Sequence, residues 1–169
     1  MNIVLVANIL AIVGQMFSLL ASTRRNKKEI LTFQSIFLAI VGVSSFLLKG
    51  YSGVITDILG IVRNILAIRG IEDRRINVAL IVGMFVLAYF FNVNGPLGYL
   101  PILANTAQTL VFLNKNSKTV HIQAVNCFAT SCWAVFNLVI KNYAGATFSV
   151  VTASLYLYQI LKYKSSENG

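Results

Sequence analysis

One apolar stretch, residues 52–70, carries an Asp, an Arg and an Asn that are the residues best suited to chemistry. Asp57, Arg63 and Asn64 lie in a segment that is apolar and long enough to span a bilayer. An ionisable side chain costs about 2.5–3.5 kcal/mol at the centre of a transmembrane helix, so it normally faces protein or a water-filled cavity. The stretch therefore predicts a buried polar site within a membrane.

Helical geometry places the polar and small residues of this stretch on one face, because a helix advances about 100° per residue. Gly53, Asp57, Gly60 and Asn64 follow at steps of four, three and four residues, with Arg63 beside them. One interpretation is a functional face that lines a cavity. The other is structural: Asp57 pairs with a neighbouring helix, Arg63 extends towards the membrane surface, and the glycines allow close packing.

The composition indicates the class of protein. The chain has 169 residues, 57% hydrophobic and 11% charged, whereas an ordinary soluble domain is about 25% charged. We therefore expect an all-α integral membrane protein, with residues 1–169 forming a single membrane domain in contact with the lipid bilayer. A net charge of +9 would suggest nucleic acid in a soluble protein. Here the basic residues lie between apolar runs, where they set orientation, so no nucleic-acid partner is expected.

Seven apolar segments of about bilayer-spanning length follow one another. They cover residues 3–22, 30–48, 52–68, 76–91, 97–113, 120–140 and 146–163. In a seven-span chain, eleven Lys and Arg residues fall on one side of the membrane, and only Lys49 and Lys141 fall on the other. Because basic loops stay in the cytoplasm, this bias predicts an outside N-terminus and a cytoplasmic C-terminus.

A weak internal repeat has an offset of 92 residues. Residues 49–53 resemble residues 141–145, and the same offset pairs Asp57 with Ser149 and Asn64 with Tyr156. The polar stripe of the third segment thus reappears on the seventh. We predict two parallel three-helix repeats, about residues 3–68 and 97–163, joined by a linker helix at about 76–91.

This 3+1+3 pattern with an outside N-terminus resembles the SWEET/PQ-loop group of transporters over nearly the whole chain. The two copies of the PQ-loop pattern read Gly14-Gln15 and Ala107-Gln108, each followed by a Lys/Ser/Thr-rich connector, and both lack the proline of that pattern. Within the group the chain looks most like the YgjV family of bacterial inner-membrane proteins, through Arg63-Asn64 and the turn at residues 49–53. The resemblance implies a location in the bacterial inner membrane.

The resemblance also implies a solute site midway through the membrane. Asn64 matches an Asn of the SWEET site and Trp133 approximately matches one of its Trp residues, while Tyr156 replaces the second Asn. The second Trp position holds Val41 or Gly42, so half of the sugar-stacking pair is missing. Combined with the polar stripes, these matches predict that the solute-binding residues are Gln15, Asp57, Asn64, Asn126, Trp133 and Tyr156.

We therefore expect a transporter that moves a small polar solute, such as a sugar, nucleoside or vitamin, by alternating access. A receptor or scaffold protein on the same fold is the alternative. No enzyme is expected, because the chain lacks a Cys–His or Ser–His pairing and a second intramembrane carboxylate to work with Asp57. Cys127, Cys132 and the lone His121 lack metal-site spacing, so neither a metal nor a cofactor is expected. The sequence is compatible with either a monomer or a homo-oligomer.

Overall fold

The described part of the chain is entirely helical, as its composition predicts. A computed structural model describes residues 2–24, 26–71, 73–113 and 119–167, and no strand occurs within these ranges. The elements are α1 Ile3–Thr23, α2 Lys27–Leu47, α3 Tyr51–Ile68, α4 Arg74–Phe91, a 3₁₀ helix Gly95–Tyr99, α5 Leu100–Leu113, α6 Thr119–Val139 and α7 Tyr143–Glu167.

Short polar side chains begin three of these helices. The side-chain oxygens of Asn2, Asn26 and Asp73 accept hydrogen bonds from the backbone N–H two residues later, at 3.1, 3.0 and 2.7 Å. Each bond satisfies one of the N–H groups that a helix leaves without an internal partner. The starts of α1, α2 and α4 are therefore encoded locally.

The turns after α2 and α6 have the same backbone geometry, 92 residues apart. Lys49 and Lys141 both adopt a left-handed conformation, with φ of 59° and 62°. Gly50 N–H donates to Ser45 C=O at 2.8 Å, and Asn142 N–H donates to Asn137 C=O at 2.8 Å. This pattern is a Schellman ending, which satisfies the last carbonyl groups of a helix. The same helix ending therefore occurs twice, at the 92-residue offset of the sequence repeat.

The outer surface of the bundle is apolar, as contact with lipid requires. Large side chains such as Phe90, which is 72% exposed, face outwards along α1, α4 and α7. Many of the buried positions instead hold small residues, including Ala7, Ala11 and Ala129. Small residues let helices approach closely where no hydrophobic driving force acts between them. Six described helices, α1, α2, α3, α4, α6 and α7, are long and apolar enough to cross a membrane.

The fifth segment differs from the prediction of one long helix at 97–113. It begins as the 3₁₀ helix Gly95–Tyr99, and α5 itself has only 14 residues. Such a helix is about 21 Å long, shorter than a hydrocarbon core of about 30 Å. Pro96 and Pro101 lack a backbone N–H, and Gly95 has a φ of +61°. A regular α-helix is therefore disfavoured at this start.

Sequence neighbours pack most closely with one another. Helix α2 packs between α1 and α3, and α6 packs between α5 and α7. Helix α4 packs against α3 and α5, and further contacts join α1 to α7 and α3 to α5. These cross-contacts bring polar residues from both ends of the sequence into a common space.

Candidate functional site

A cavity of about 300 Å³ lies between the helices, within the size range of small-molecule sites. Helices α1, α2, α3, α5, α6 and α7 all contribute to its wall, whereas none of the described residues that line it comes from α4. Its polar side chains are Gln15, Ser18, Gln34, Thr56, Asp57, Arg63, Asn64, Asn105, Gln108, Thr130, Asn137, Asn142, Ser149 and Thr152. Trp133, Phe37 and Phe148 provide aromatic surface.

Asp57 is the most deeply buried charged group of the cavity. Asp57 is only 3% exposed, and its Oδ2 atom has no hydrogen-bond partner in the part of the chain that the structure describes. Gly42 of α2 lies directly against it, since a Cβ atom built on Gly42 would be 3.6 Å from Oδ2. Buried polar atoms are almost always hydrogen-bonded, so an orphaned oxygen on a cavity wall calls for a ligand, a proton or water.

Arg63 lines the same cavity but does not neutralise Asp57. The two residues lie six apart on α3, about 9 Å along the helix axis and about 120° around it. The structure contains no ion pair between them, and Arg63 has no hydrogen-bond or ion-pair partner among the described residues. The cavity wall therefore holds one acidic and one basic group that are not paired with each other.

A second, apolar groove also includes Asp57 in its lining. It has a volume of about 340 Å³ and runs between α2 and α3. Apart from Asp57 its lining is apolar, and Val43, Phe46 and Ile58 are exposed on the outer surface of the bundle. Asp57 thus lies between the central polar cavity and a groove on the lipid-facing side.

Amide side chains complete the cavity wall. Asn64 is 2% exposed, and its Nδ2 donates to the Ser35 Oγ at 3.4 Å. Gln108 of α5 donates through Nε2 to the Asn126 Oδ1 of α6 at 3.0 Å. Amides offer both donors and acceptors, so this wall can bind polar solutes of different kinds.

The cavity ends in a tightly packed layer beside the turns after α2 and α6. The ring of Phe136 is fully buried and lies against Gly53, where an added Cβ atom would be 2.8 Å from its Cε1. Trp133 meets Phe136 edge to face, with ring centroids 5.8 Å apart. Phe136 therefore connects the cavity wall at Trp133 to the packed layer at Gly53.

One side chain at the same end connects α1 to the turn before α7. The Asn8 Nδ2 donates to Lys141 C=O at 3.1 Å, and its Oδ1 accepts from Ala144 N–H at 2.8 Å. The residues involved are more than 130 positions apart in sequence. The Asn8 side chain therefore links α1 to the turn between α6 and α7. This link lies at the same end of the cavity as the packed layer of Phe136 and Gly53.

The structure places four of the six predicted site residues in the cavity wall: Gln15, Asp57, Asn64 and Trp133. Asn126 lies behind the wall, where it accepts the hydrogen bond from Gln108. Tyr156 is half-buried on α7, one turn beyond Thr152, and is not among the lining residues. Gly53 of the predicted stripe packs against Phe136 instead of lining the cavity.

Several lining residues were not among the six predicted. Gln34 and Asn137 belong to polar positions of the second and sixth segments, but they were not assigned to the site. Asn105 could have been found from its spacing, because it lies three residues before Gln108 and therefore on the same helical face. The basic connector with Lys115 and Lys118 lies outside the described residues. Within the described ranges, no three His, Cys, Asp or Glu residues are grouped to bind a metal.

Comparison with models of protein families finds a match to this chain. The model of the Imp-YgjV family, described as a bacterial inner membrane protein, matches residues 5–167. No curated protein matches the chain. No solved structure matches it either.

Proposed function

The chain belongs to the Imp-YgjV family of bacterial inner membrane proteins, and on this premise we propose that it moves a small polar solute across that membrane by alternating access. The observation that carries the proposal is the central cavity, whose wall combines many amide side chains with the unsatisfied Asp57 and Arg63. Burying so many polar groups within the membrane is costly, and they usually mark a substrate or ion pathway. We infer transport and not catalysis.

The proposed architecture is a single membrane domain of two parallel three-helix repeats, α1–α3 and α5–α7, joined by the linker helix α4. Three observations support it. Helices pack in sequence order within each group of three, the turns at Lys49 and Lys141 share one hydrogen-bond pattern at an offset of 92 residues, and the described cavity wall draws nothing from α4. A solute site between repeats is a common transporter arrangement. We assign the chain to the SWEET/PQ-loop group on this basis.

The proposed orientation places the N-terminus outside and the C-terminus in the cytoplasm. The excess of Lys and Arg in the connectors on the proposed cytoplasmic side supports it. In this orientation the packed layer of Phe136 and Gly53, together with the Asn8 contacts, closes the external side of the cavity. Solute would then exchange with the cytoplasm in this state, and opening the packed layer would expose the site to the outside.

Flux through purified protein tests the proposal. The single tryptophan of the chain, Trp133, lines the cavity, so its fluorescence can report solute binding without a label. Sugars, nucleosides, vitamins and amino acids are screened by this signal and by thermal shift, and each binder is then measured in counterflow with liposomes holding only this protein. Saturable counterflow that is absent from empty liposomes supports transport. Binding without flux would instead favour a receptor. The absence of both binding and flux would contradict the proposal.

A further inference from the structure

The central cavity holds two opposite charges that no described residue compensates. Asp57 and Arg63 both line it, no ion pair joins them, and the Asp57 Oδ2 has no hydrogen-bond partner. An unpaired charge within a membrane protein is expensive, and such groups usually pair with each other or with a ligand. Since these two do not pair with each other, a bound ligand can supply the counter-charge that each of them lacks.

Each class of solute leaves a different charge uncompensated. A neutral sugar leaves both Asp57 and Arg63 without a counter-charge. An anion can satisfy Arg63 but is repelled by Asp57. A cation can satisfy Asp57 but is repelled by Arg63. A small zwitterion satisfies both groups at once and adds no net charge to the cavity.

We propose that the transported solute is a small zwitterion of the amino-acid type, whose ammonium group binds Asp57 and whose carboxylate binds Arg63. This assignment rests on the proposed transport function. The planar guanidinium of Arg63 can donate two parallel hydrogen bonds to a carboxylate, and the Asp57 oxygens can accept from an ammonium group. Long helical side chains lean towards the N-terminus of their helix, and on α3 that is the direction from Arg63 to Asp57.

The rest of the wall fits a solute of this size. A cavity of about 300 Å³ is at the small end of ligand sites, which favours a solute with few heavy atoms. Gln15, Asn105 and Gln108 line the same cavity with amide groups, which can bind the remaining polar atoms of a solute or ordered water. Trp133 and Phe148 add aromatic surface for a short side chain.

The first test compares ligands on the unmodified protein. The twenty common α-amino acids are titrated one by one while Trp133 fluorescence is followed, with glucose and uridine as uncharged probes. The tightest amino acid is then compared with its N-acetyl derivative, which lacks the cation, and with its amide, which lacks the anion. We expect each derivative to bind at least about tenfold more weakly, since hydrogen bonds to charged groups are strong. Equal binding of all three forms would overturn the proposal.

The second test assigns each charge to its partner. Arg63→Gln should remove the preference for the zwitterion over its amide and keep the preference over the N-acetyl form. Asp57→Asn should remove the preference over the N-acetyl form and keep the preference over the amide. Arg69→Gln, directly after the end of α3, and Glu29→Gln on α2 change exposed charges and serve as matched controls, which should keep both preferences. The assignment would be contradicted if Arg63→Gln kept the preference over the amide, or if Asp57→Asn kept the preference over the N-acetyl form. If a variant does not fold, the ligand series on the unmodified protein decides.

Counterflow separates this inference from the transport proposal. Zwitterion binding with the expected preferences, but without flux in liposomes, supports the solute class and rejects transport. Saturable flux of glucose or uridine without binding of any amino acid supports transport and overturns the zwitterion.

Discussion

The ring of Phe136 occupies the space that a side chain at Gly53 would need, so α6 and α3 are in direct contact at one end of the cavity. A Cβ atom at Gly53 would be 2.8 Å from Phe136 Cε1 and 3.3 Å from Cζ. Such distances are too short for a carbon–carbon contact, and the packed layer must move apart to accept a methyl group.

Gly53→Ala should therefore open or strain this layer. Overpacking a well-packed site costs about 1–3 kcal/mol, so we expect lower thermal stability of the detergent-solubilised protein and slower flux. Phe136→Leu in the same chain should restore part of the stability, because it removes the ring from the new methyl group. Gly83→Ala is the control, since the nearest atom to an added Cβ there is 3.9 Å away. Equal melting temperatures for Gly53→Ala and Gly83→Ala would contradict the explanation that the ring of Phe136 excludes a side chain at Gly53.

Asn8→Ala should loosen the link between α1 and the turn before α7. It removes the acceptor of the Ala144 N–H and the donor to the Lys141 carbonyl group, each bond contributing about 1 kcal/mol. We expect faster hydrogen exchange at the Ala144 amide. Asn77→Ala removes a local bond within α4, from Nδ2 to Asp73 C=O, and should leave Ala144 unchanged. If Ala144 exchanges equally fast in both variants, the Asn8 bridge does not hold the two regions together.

Gly42→Ser should separate stability from transport. A serine Cβ atom there would lie 3.6 Å from the Asp57 Oδ2, so its hydroxyl group can donate to the orphaned oxygen. We expect a melting temperature above that of Gly42→Ala, which adds the same Cβ without a donor, and a lower flux, because the site carboxylate is then occupied. A flux as high as that of Gly42→Ala would show that Oδ2 is not used in transport.

Asp57→Asn should abolish the pH dependence of the remaining flux and leave a folded protein. Within the seven apolar segments Asp57 is the only carboxylate, so it is the group through which proton binding could be linked to transport. Reconstituted flux is measured over a pH series, with Glu29→Gln as the control. If Asp57 is only structural, the variant will melt at a lower temperature, and whatever flux it retains will respond to pH as the unmodified protein does.

Cysteine labelling tests the orientation. In a Cys127→Ser, Cys132→Ala background, an impermeant reagent added outside should label Val93→Cys and miss Ile71→Cys. Both residues are exposed, and they lie in the connectors at opposite ends of α4. The reverse pattern would overturn the proposed topology and the placement of the packed layer on the external side.

The sequence predicted the local elements well, because their causes are local. Apolar runs, polar caps such as Asn26 and turn residues such as Gly50 act within a few residues, so six of the seven segments closely match observed helices. The exception is the fifth, where Pro96 and Pro101 reshape its start. Both prolines are visible in the sequence, but the hydropathy of an apolar run does not show where a proline interrupts the helix.

The sequence by itself determined that the protein is helical, that it lies in a membrane and that α3 has a polar face, because composition and periodicity set these properties. Only the tertiary structure decided which polar residues share the cavity. Asn126 and Tyr156 follow the predicted stripes, yet one lies behind Gln108 and the other lies beyond the wall, whereas Asn105 enters it. The rotation and depth of each helix depend on contacts with residues far away in sequence, such as Asn8 with Ala144 and Phe136 with Gly53, which periodicity within one helix does not encode.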